Sequence, residues 1–199
     1  MTSALAIASV TSVLKDLLDN QLVQHGIVSS VGDVAVTALP PDRLPVGGDE
    51  RNRLNLFMYR ATPHTAWRAF PGSEDGGSPS LPPLGLDLHY LLTAYGEEDL
   101  HAEILLGFAV QFLHQTPVLT RDTIRSALDS ISANGSGHSV TPARAALAAS
   151  TLADQVEQIT ICPEFLSMED TTKLWSALQA HYRPSTAYEV SAVLIEAGR

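Results

Sequence analysis

The fold is decided by the stretch from Leu84 to Gln115, which reads LGLDLHYLLTAYG and then EEDLHAEILLGFAVQFLHQ. In its first part every second side chain is apolar, a pattern that predicts a strand with one buried face. That face carries Leu86, Leu88, Tyr90, Leu92 and Ala94. In its second part apolar residues recur every three or four positions and end before Pro117, which predicts an amphipathic helix. The stretch is therefore expected to form a long central strand that turns sharply into a helix.

Gly96 lies between the two predicted elements, and we expect it to supply the backbone angles of a tight turn. Three acidic residues, Glu97, Glu98 and Asp99, follow it and place negative charge at the positive end of the helix dipole. The predicted apolar stripe of this helix consists of Ile104, Phe108 and Phe112, with Leu105, Ala109 and Leu113 beside them.

In the rest of the chain, predicted helices alternate with predicted strands. An N-terminal helix capped by Thr2 or Ser3 is expected to run to about Gln24, with Gly26 at its C-terminal end. Strands are predicted at 33–39, 53–60, 156–162 and 188–195, and further helices after Thr120 and Ser167. This order predicts one α+β (mixed α/β) domain over residues 1–199, with a central mixed or antiparallel sheet of about four to six strands flanked by helices.

The segment 63–83 is rich in Pro, Gly and Ser and contains Trp67 and Phe70. Such a composition cannot bury enough apolar surface to fold alone, so a flexible loop is expected between two paired strands. Its two aromatic residues either cover the sheet of their own chain or dock on a partner.

Composition narrows the functional classes. Hydrophobic residues make up 45% and charged residues 17% of the chain, which is typical of a globular protein. The net charge of −10 argues against a nucleic acid or an anionic membrane as the main partner. The single cysteine, Cys162, excludes an internal disulfide and is interpreted as a small buried hydrophobic residue. Without an apolar run of membrane-spanning length or a signal-peptide pattern, a cytoplasmic location is expected.

Sequence motifs that would indicate an enzyme are weak in this chain. Asp87 and His89 share a strand face about 7 Å apart, within reach of Arg53 or Arg60 across a hairpin, and are interpreted as a structural polar cluster. His101 and Glu103 match only half of a zinc deaminase signature, whose other half needs two cysteines. We therefore predict no catalytic residue, no metal ligand and no cofactor.

Three segments together resemble one family. They are RLNLFMYR from Arg53 to Arg60, PPLGLDLHYLLTAYG from Pro82 to Gly96, and YRPSTAYEVS from Tyr182 to Ser191. They are similar to the cap, or tail-terminator, protein of phage-tail-like contractile injection systems, and the likeness extends over essentially the whole chain.

This resemblance implies a structural, non-enzymatic protein that forms a homo-hexameric ring. The ring would close the inner tube and contact the last sheath ring, in a particle assembled in the cytoplasm. Its partners would be itself, the tube protein and the sheath protein, with no nucleic acid and no membrane. The residues expected to make contacts are Arg53, Arg60, Trp67, Phe70 and Arg183. The alternatives are an adaptor on the baseplate side of the particle and a small-molecule enzyme.

Overall fold

The computed structural model describes residues 5–45, 47, 50–65, 83–133, 146–147, 152–155 and 158–195. The helices are α1 (Ala6–Gln24), α2 (Val28–Val31), α3 (His101–Gln115), α4 (Arg121–Ala133) and α5 (Met168–Ala177). Two 3-10 turns span Pro41–Arg43 and Leu152–Asp154. The strands are β1 (Ala35–Thr37), β2 (Arg53–Pro63), β3 (Leu84–Tyr95), β4 (Val118–Leu119), β5 (Ile159–Glu164) and β6 (Ser185–Ile195).

The six strands form one sheet in the order β1-β2-β3-β6-β5-β4. Only the β1–β2 pair is parallel, and the other four neighbouring pairs are antiparallel. The predicted α+β class with a mixed central sheet is therefore confirmed. β3 lies in the interior of the sheet between β2 and β6, as its long apolar face predicted.

The main core lies between one face of the sheet and helices α1, α3 and α4. Leu88, Tyr90 and Leu92 point into it from β3 and are completely buried. The Thr11 hydroxyl of α1 lies 2.8 Å from the hydroxyl of Tyr90, so the buried phenol keeps a hydrogen-bond partner. Burial raises the pKa of Tyr90 to about 12.

Several local predictions are confirmed. Helix α1 ends as expected, and Gly26 follows it with a φ of +67°. The helix predicted after Thr120 is α4, which begins at Arg121 and buries Ile124, Leu128 and Ile131. Ser167 caps α5, since its Oγ accepts a hydrogen bond from the backbone N–H of Asp170 at 3.1 Å. The caps proposed at Thr2 or Ser3 lie outside the described residues.

The turn after β3 differs from the prediction. Helix α3 begins at His101, and the left-handed residue before it is Leu100, with a φ of 65°. Gly96 is required for space instead: a Cβ there would lie 2.6 Å from the backbone N of Ala102. In α3 the buried stripe is Leu105, Ala109 and Leu113, whereas Ile104 is 40% exposed.

The strand around Cys162 also differs from its prediction. β5 spans Ile159–Glu164. It therefore begins three residues later than the predicted strand at 156–162. Ile159 and Ile161 are buried on the core face, so alternation directs Cys162 to the opposite face, where it is exposed. The interpretation of Cys162 as a buried hydrophobic residue was therefore wrong.

Candidate functional site

The second face of the sheet carries a polar cluster, which we call the His89 network. It consists of Tyr59, Arg60, Thr62, His89 and Glu164. His89 is only 3% exposed although it lies on the face of the sheet opposite α1, α3 and α4. β2, β3 and β5 contribute to the network, so the order of strands in the sheet brings together residues that are distant in sequence.

Glu164 is the hydrogen-bond acceptor of this network. Its Oε2 accepts from the Tyr59 hydroxyl at 2.7 Å and lies 2.9 Å from Nδ1 of His89. Its Oε1 accepts from Nη2 of Arg60 at 2.9 Å. Because a carboxylate only accepts, Nδ1 of His89 carries the proton in this contact. Nε2 of His89 lies 2.9 Å from the Thr62 hydroxyl, so both ring nitrogens have a partner.

A β-bulge explains how two successive residues reach the same carboxylate. The register between β2 and β3 shifts between Met58 and Arg60. In a regular strand Tyr59 and Arg60 would point to opposite faces, but a bulge redirects one side chain. Both side chains therefore bind Glu164 from the same side of the sheet.

The network changes the acidity of its members. Burial alone would raise the pKa of Glu164, but hydrogen bonds from Tyr59 and His89 and the charges of His89 and Arg60 outweigh it and hold the pKa below the ordinary 4.5. Burial, together with the hydrogen bond to Glu164, raises the pKa of Tyr59 far above its ordinary value. At neutral pH the arrangement is an ionised carboxylate held by three donors.

Asp87 and His89 share this face, as predicted, but they contact different residues. Asp87 Oδ1 lies 2.7 Å from Nδ1 of His64. Nδ1 of His89 lies 3.3 Å from Nη2 of Arg60, which was one of the two arginines expected nearby. Instead of sharing one arginine, the two side chains belong to separate pairs along the face.

The predicted contact residues fall in different places. Arg60 is half exposed beside Glu164. Arg183 is bound to Glu50 at 2.6 and 3.2 Å, and its guanidinium lies 5.9 Å from the centre of the Tyr95 ring. Arg53 is partly buried, and within the described residues its Nε has no hydrogen-bond partner. Trp67 and Phe70, with most of the predicted loop 63–83, lie outside the described residues.

An exposed apolar surface beside α5 was missed by sequence reasoning. We call it the α5 patch: Phe165 is 91%, Met168 78% and Tyr182 59% exposed. All three line a cavity of about 220 Å³ that reaches Leu91 on the second sheet face. Met168 and Tyr182 also line an adjoining groove of about 530 Å³ beside Trp175, so the patch is continuous. No periodicity marks Phe165 in the sequence, because it stands in the connection between β5 and α5.

Among the described residues there is neither a cluster of metal-binding side chains nor a helix that could cross a membrane. In that part of the chain no group of three or more His, Cys, Asp or Glu residues is arranged to hold a metal ion. No helix within the same ranges has the length and apolar character needed to cross a membrane.

Comparison with known families gives a match over nearly the whole chain. The model of the Pvc16 N-terminal domain matches residues 9–199. The chain belongs to the Pvc16 N-terminal domain family. The resemblance inferred from the sequence is thereby confirmed at the level of the family. Comparison with curated proteins gave no significant match.

Two solved structures share the fold of this Pvc16 N-terminal domain. One is a PVC sheath/tube terminator of an extracellular contractile injection system in the extended state, with a TM-score of 0.50, 14% identity and 89% of this chain covered. The other is the anti-feeding prophage cap, a tube-terminating cap, with a TM-score of 0.51, 13% identity and 90% of this chain covered. The match covers 56% and 54% of those chains, so this domain spans just over half of their length.

Proposed function

We propose that this chain is a structural, non-enzymatic cap protein of a contractile injection system. As a hexameric ring it terminates the inner tube and contacts the last sheath ring. The observation that carries the proposal is the family match over residues 9–199, together with a fold shared over about nine-tenths of the chain with two terminators. One of these two proteins is a sheath/tube terminator, which supports the proposed contact with the sheath.

The edge strands of the sheet suit a protein that stops the growth of a tube. A terminator must bind the end of a tube without offering the next subunit a surface to extend. The edge strands β1 and β4 have only three and two residues, and short edge strands disfavour further strand pairing. β2 extends beyond β1, but this part carries the bulge and ends at Pro63, which lacks a backbone N–H.

The His89 network fits a structural role. His89 is almost completely buried, and both of its ring nitrogens are within hydrogen-bond distance of protein groups. Glu164 is likewise occupied by three donors. Groups that are paired in this way stabilise a fold, and the network joins three strands of the sheet on the face that the main helices leave uncovered.

The test is to assemble tube and sheath with and without the protein and to measure particle lengths by electron microscopy. Gold-labelled protein should lie at the end opposite the baseplate, and its omission should broaden the distribution of tube lengths. Unchanged tube lengths would contradict the cap function. Label at the baseplate end would favour the adaptor function instead.

A further inference from the structure

We propose that the α5 patch binds a basic amphipathic helix of another protein. The apolar side of that helix covers Phe165, Met168 and Tyr182, and its Lys or Arg side chains lie against the acidic first turn of α5. The inference rests on the proposed function in one respect, because the partner is another protein of the proposed particle.

Helix α5 is packed weakly in its own chain. Within the described structure, Trp175 is the one residue of this ten-residue helix that is buried. Short helices gain most of their stability from the packing of an apolar side. Met168, at the first position of α5, is nevertheless 78% exposed. The apolar side of α5 therefore has room for a surface of a second protein.

A groove of about 530 Å³ runs along this side of α5. The residues of α5 that line it recur every three or four positions and so lie on one side of the helix: Met168, Thr171, Thr172, Trp175 and Ser176. From Met168 to Ser176 the helix rises about 12 Å, a little over two turns. Tyr182 also lines the groove, with its ring 5.6 Å from that of Trp175. A groove of this form receives a helix, whose apolar side chains follow its length.

The rim of the α5 patch is acidic. Glu164 lines the cavity, and Glu169 and Asp170 lie in the first turn of α5. Positions 164–182 contain these three acids and one cation, Lys173. Glu164 is paired within the His89 network and Glu169 pairs with Lys173, so Asp170 has no cation partner in the described structure. A partner with positive charge is therefore favoured, and the net charge of −10 attracts it from a distance.

A second copy of the chain suits this surface poorly. Leu100 and Ile104 are exposed near the start of α3, but they lie among exposed acidic residues, Glu98, Asp99 and Glu103. Docking of these residues on α5 would place like charges opposite each other, which costs free energy. Two copies with a net charge of −10 also repel each other before contact. A basic partner avoids both costs.

The exposed area suits a single helix. With about 200 Å² for a fully exposed large side chain, Phe165, Met168 and Tyr182 expose on the order of 400 Å². A patch of this size on one protein normally marks a binding surface. It is about half of the ~800 Å² that each partner buries in a standard stable interface. The patch therefore matches a segment of a partner better than the whole face of a subunit.

The test uses two synthetic helical peptides of about 15 residues. Both carry Leu along one side, and the remaining positions are Lys in one peptide and Glu in the other. Fluorescence anisotropy of the labelled peptides should show that the wild-type protein binds the Lys peptide at least about tenfold more tightly than the Glu peptide. Equal binding of the two peptides, or no binding of the Lys peptide, would overturn the inference.

A substitution in the patch tests where the peptide binds. Phe165→Ser removes the most exposed apolar side chain and should weaken binding of the Lys peptide about tenfold or more, with an unchanged melting temperature. The control is Leu39→Ser, which changes a 45% exposed residue elsewhere and should bind as the wild type does. A Phe165→Ser protein with wild-type affinity would show that the peptide binds elsewhere and that the inference is wrong.

A matched pair of charge reversals tests the acidic rim. Glu169→Lys changes the first turn of α5, and Glu103→Lys makes the same change in the first turn of α3. Glu169→Lys should weaken binding of the Lys peptide and strengthen binding of the Glu peptide, whereas Glu103→Lys should leave both affinities nearly unchanged. Equal effects of the two substitutions would mean that total charge attracts the peptide, which contradicts the assigned site.

Two further results would assign the patch to another occupant and overturn the inference. One is self-association of the wild type in analytical ultracentrifugation that is lost in Phe165→Ser, which would indicate a second copy. The other is binding of the Lys peptide that appears only after Trp67→Ser and Phe70→Ser, which would indicate a segment of the same chain. None of these measurements involves tubes, so the cap function is judged separately by the measured tube lengths.

Discussion

Nδ1 of His89 lies 2.9 Å from Oε2 of Glu164, although 75 positions separate the two residues in the sequence. His89 belongs to the central strand β3, and Glu164 is the last residue of β5, with β6 between them. The contact therefore spans one intervening strand. It connects the two halves of the sheet on the face opposite α1, α3 and α4.

The first prediction concerns the acid in this contact. Because the pKa of Glu164 is held below its ordinary 4.5, its ionised form stabilises the folded state above about pH 4.5, and this contribution is lost as the pH falls through the folded pKa. Glu164→Gln should lower the free energy of unfolding at pH 7 by about 1–3 kcal/mol. Urea unfolding from pH 7 to pH 3 should show the difference from wild type shrinking below pH 4.5.

The matched control for this experiment is Glu97→Gln. Glu97 pairs with Arg51 at 2.7 Å, but both side chains are about half exposed. Exposed pairs contribute up to about 1 kcal/mol, so only a small loss is expected. A loss in Glu164→Gln that stays constant from pH 7 to pH 3 would contradict the assigned role of its charge.

The second prediction concerns His89 itself. His89→Ala removes one of the three donors to Glu164 and leaves a buried space, so the free energy of unfolding should fall by about 2 kcal/mol. Termination of tubes should persist at a temperature where the variant is folded. A folded His89→Ala protein that fails to limit tube length would show that the His89 network takes part in function.

The third prediction compares two leucines of β3. Leu88 is completely buried, whereas Leu84 at the start of the strand is 51% exposed. Leu88→Asp places an unpaired charge in the core and should prevent folding, since the cost of several kcal/mol approaches the stability of a whole domain. Leu84→Asp should remain folded. Circular dichroism of the two soluble fractions distinguishes them, and a folded Leu88→Asp protein would contradict the described core.

The fourth prediction concerns the segment 63–83. Deletion of Ser73 to Ser80 should broaden the tube-length distribution if the segment contacts tube, sheath or a neighbouring subunit. Replacement of the same eight positions by a Gly/Ser linker separates the effect of sequence from that of length. Unchanged particles in both variants would remove the segment from the proposed interfaces.

The helices and strands in which apolar residues recur at a regular spacing could be predicted from the sequence. Alternation in β3 and the helical spacing of α1 and α4 each extend over ten or more residues, which is long enough to be recognised without tertiary information. The strand face that contains Asp87 and His89 followed from the same alternation. β4 could not be recognised, because Val118 and Leu119 are too few to show any period.

The candidate sites depend on local features, a β-bulge and a connection, that no regular spacing of apolar residues reveals. The shift between Met58 and Arg60 is one residue long, yet it decides that Tyr59 and Arg60 both reach Glu164. The exposure of Phe165 arises because the chain leaves β5 and turns into α5 at this point. Apolar residues of this kind are expected to be buried when only the sequence is considered, so the α5 patch became visible only in three dimensions.

The last prediction compares two glycines, Gly96 and Gly107, that differ in the space available for a side chain. A Cβ on Gly96 would lie 2.6 Å from the backbone N of Ala102 and 2.9 Å from Cβ of His101. A Cβ on Gly107 would have no atom of the described residues within 4 Å. Gly96→Ala must therefore displace the start of α3 and should cost about 1–3 kcal/mol, as overpacking does. Gly107→Ala only replaces a poor helix former and should stabilise the fold by roughly 0.5–1 kcal/mol. Urea unfolding of both variants should thus give changes of opposite sign. A destabilised Gly107→Ala protein would mean that Gly107 is packed against other parts of its own chain.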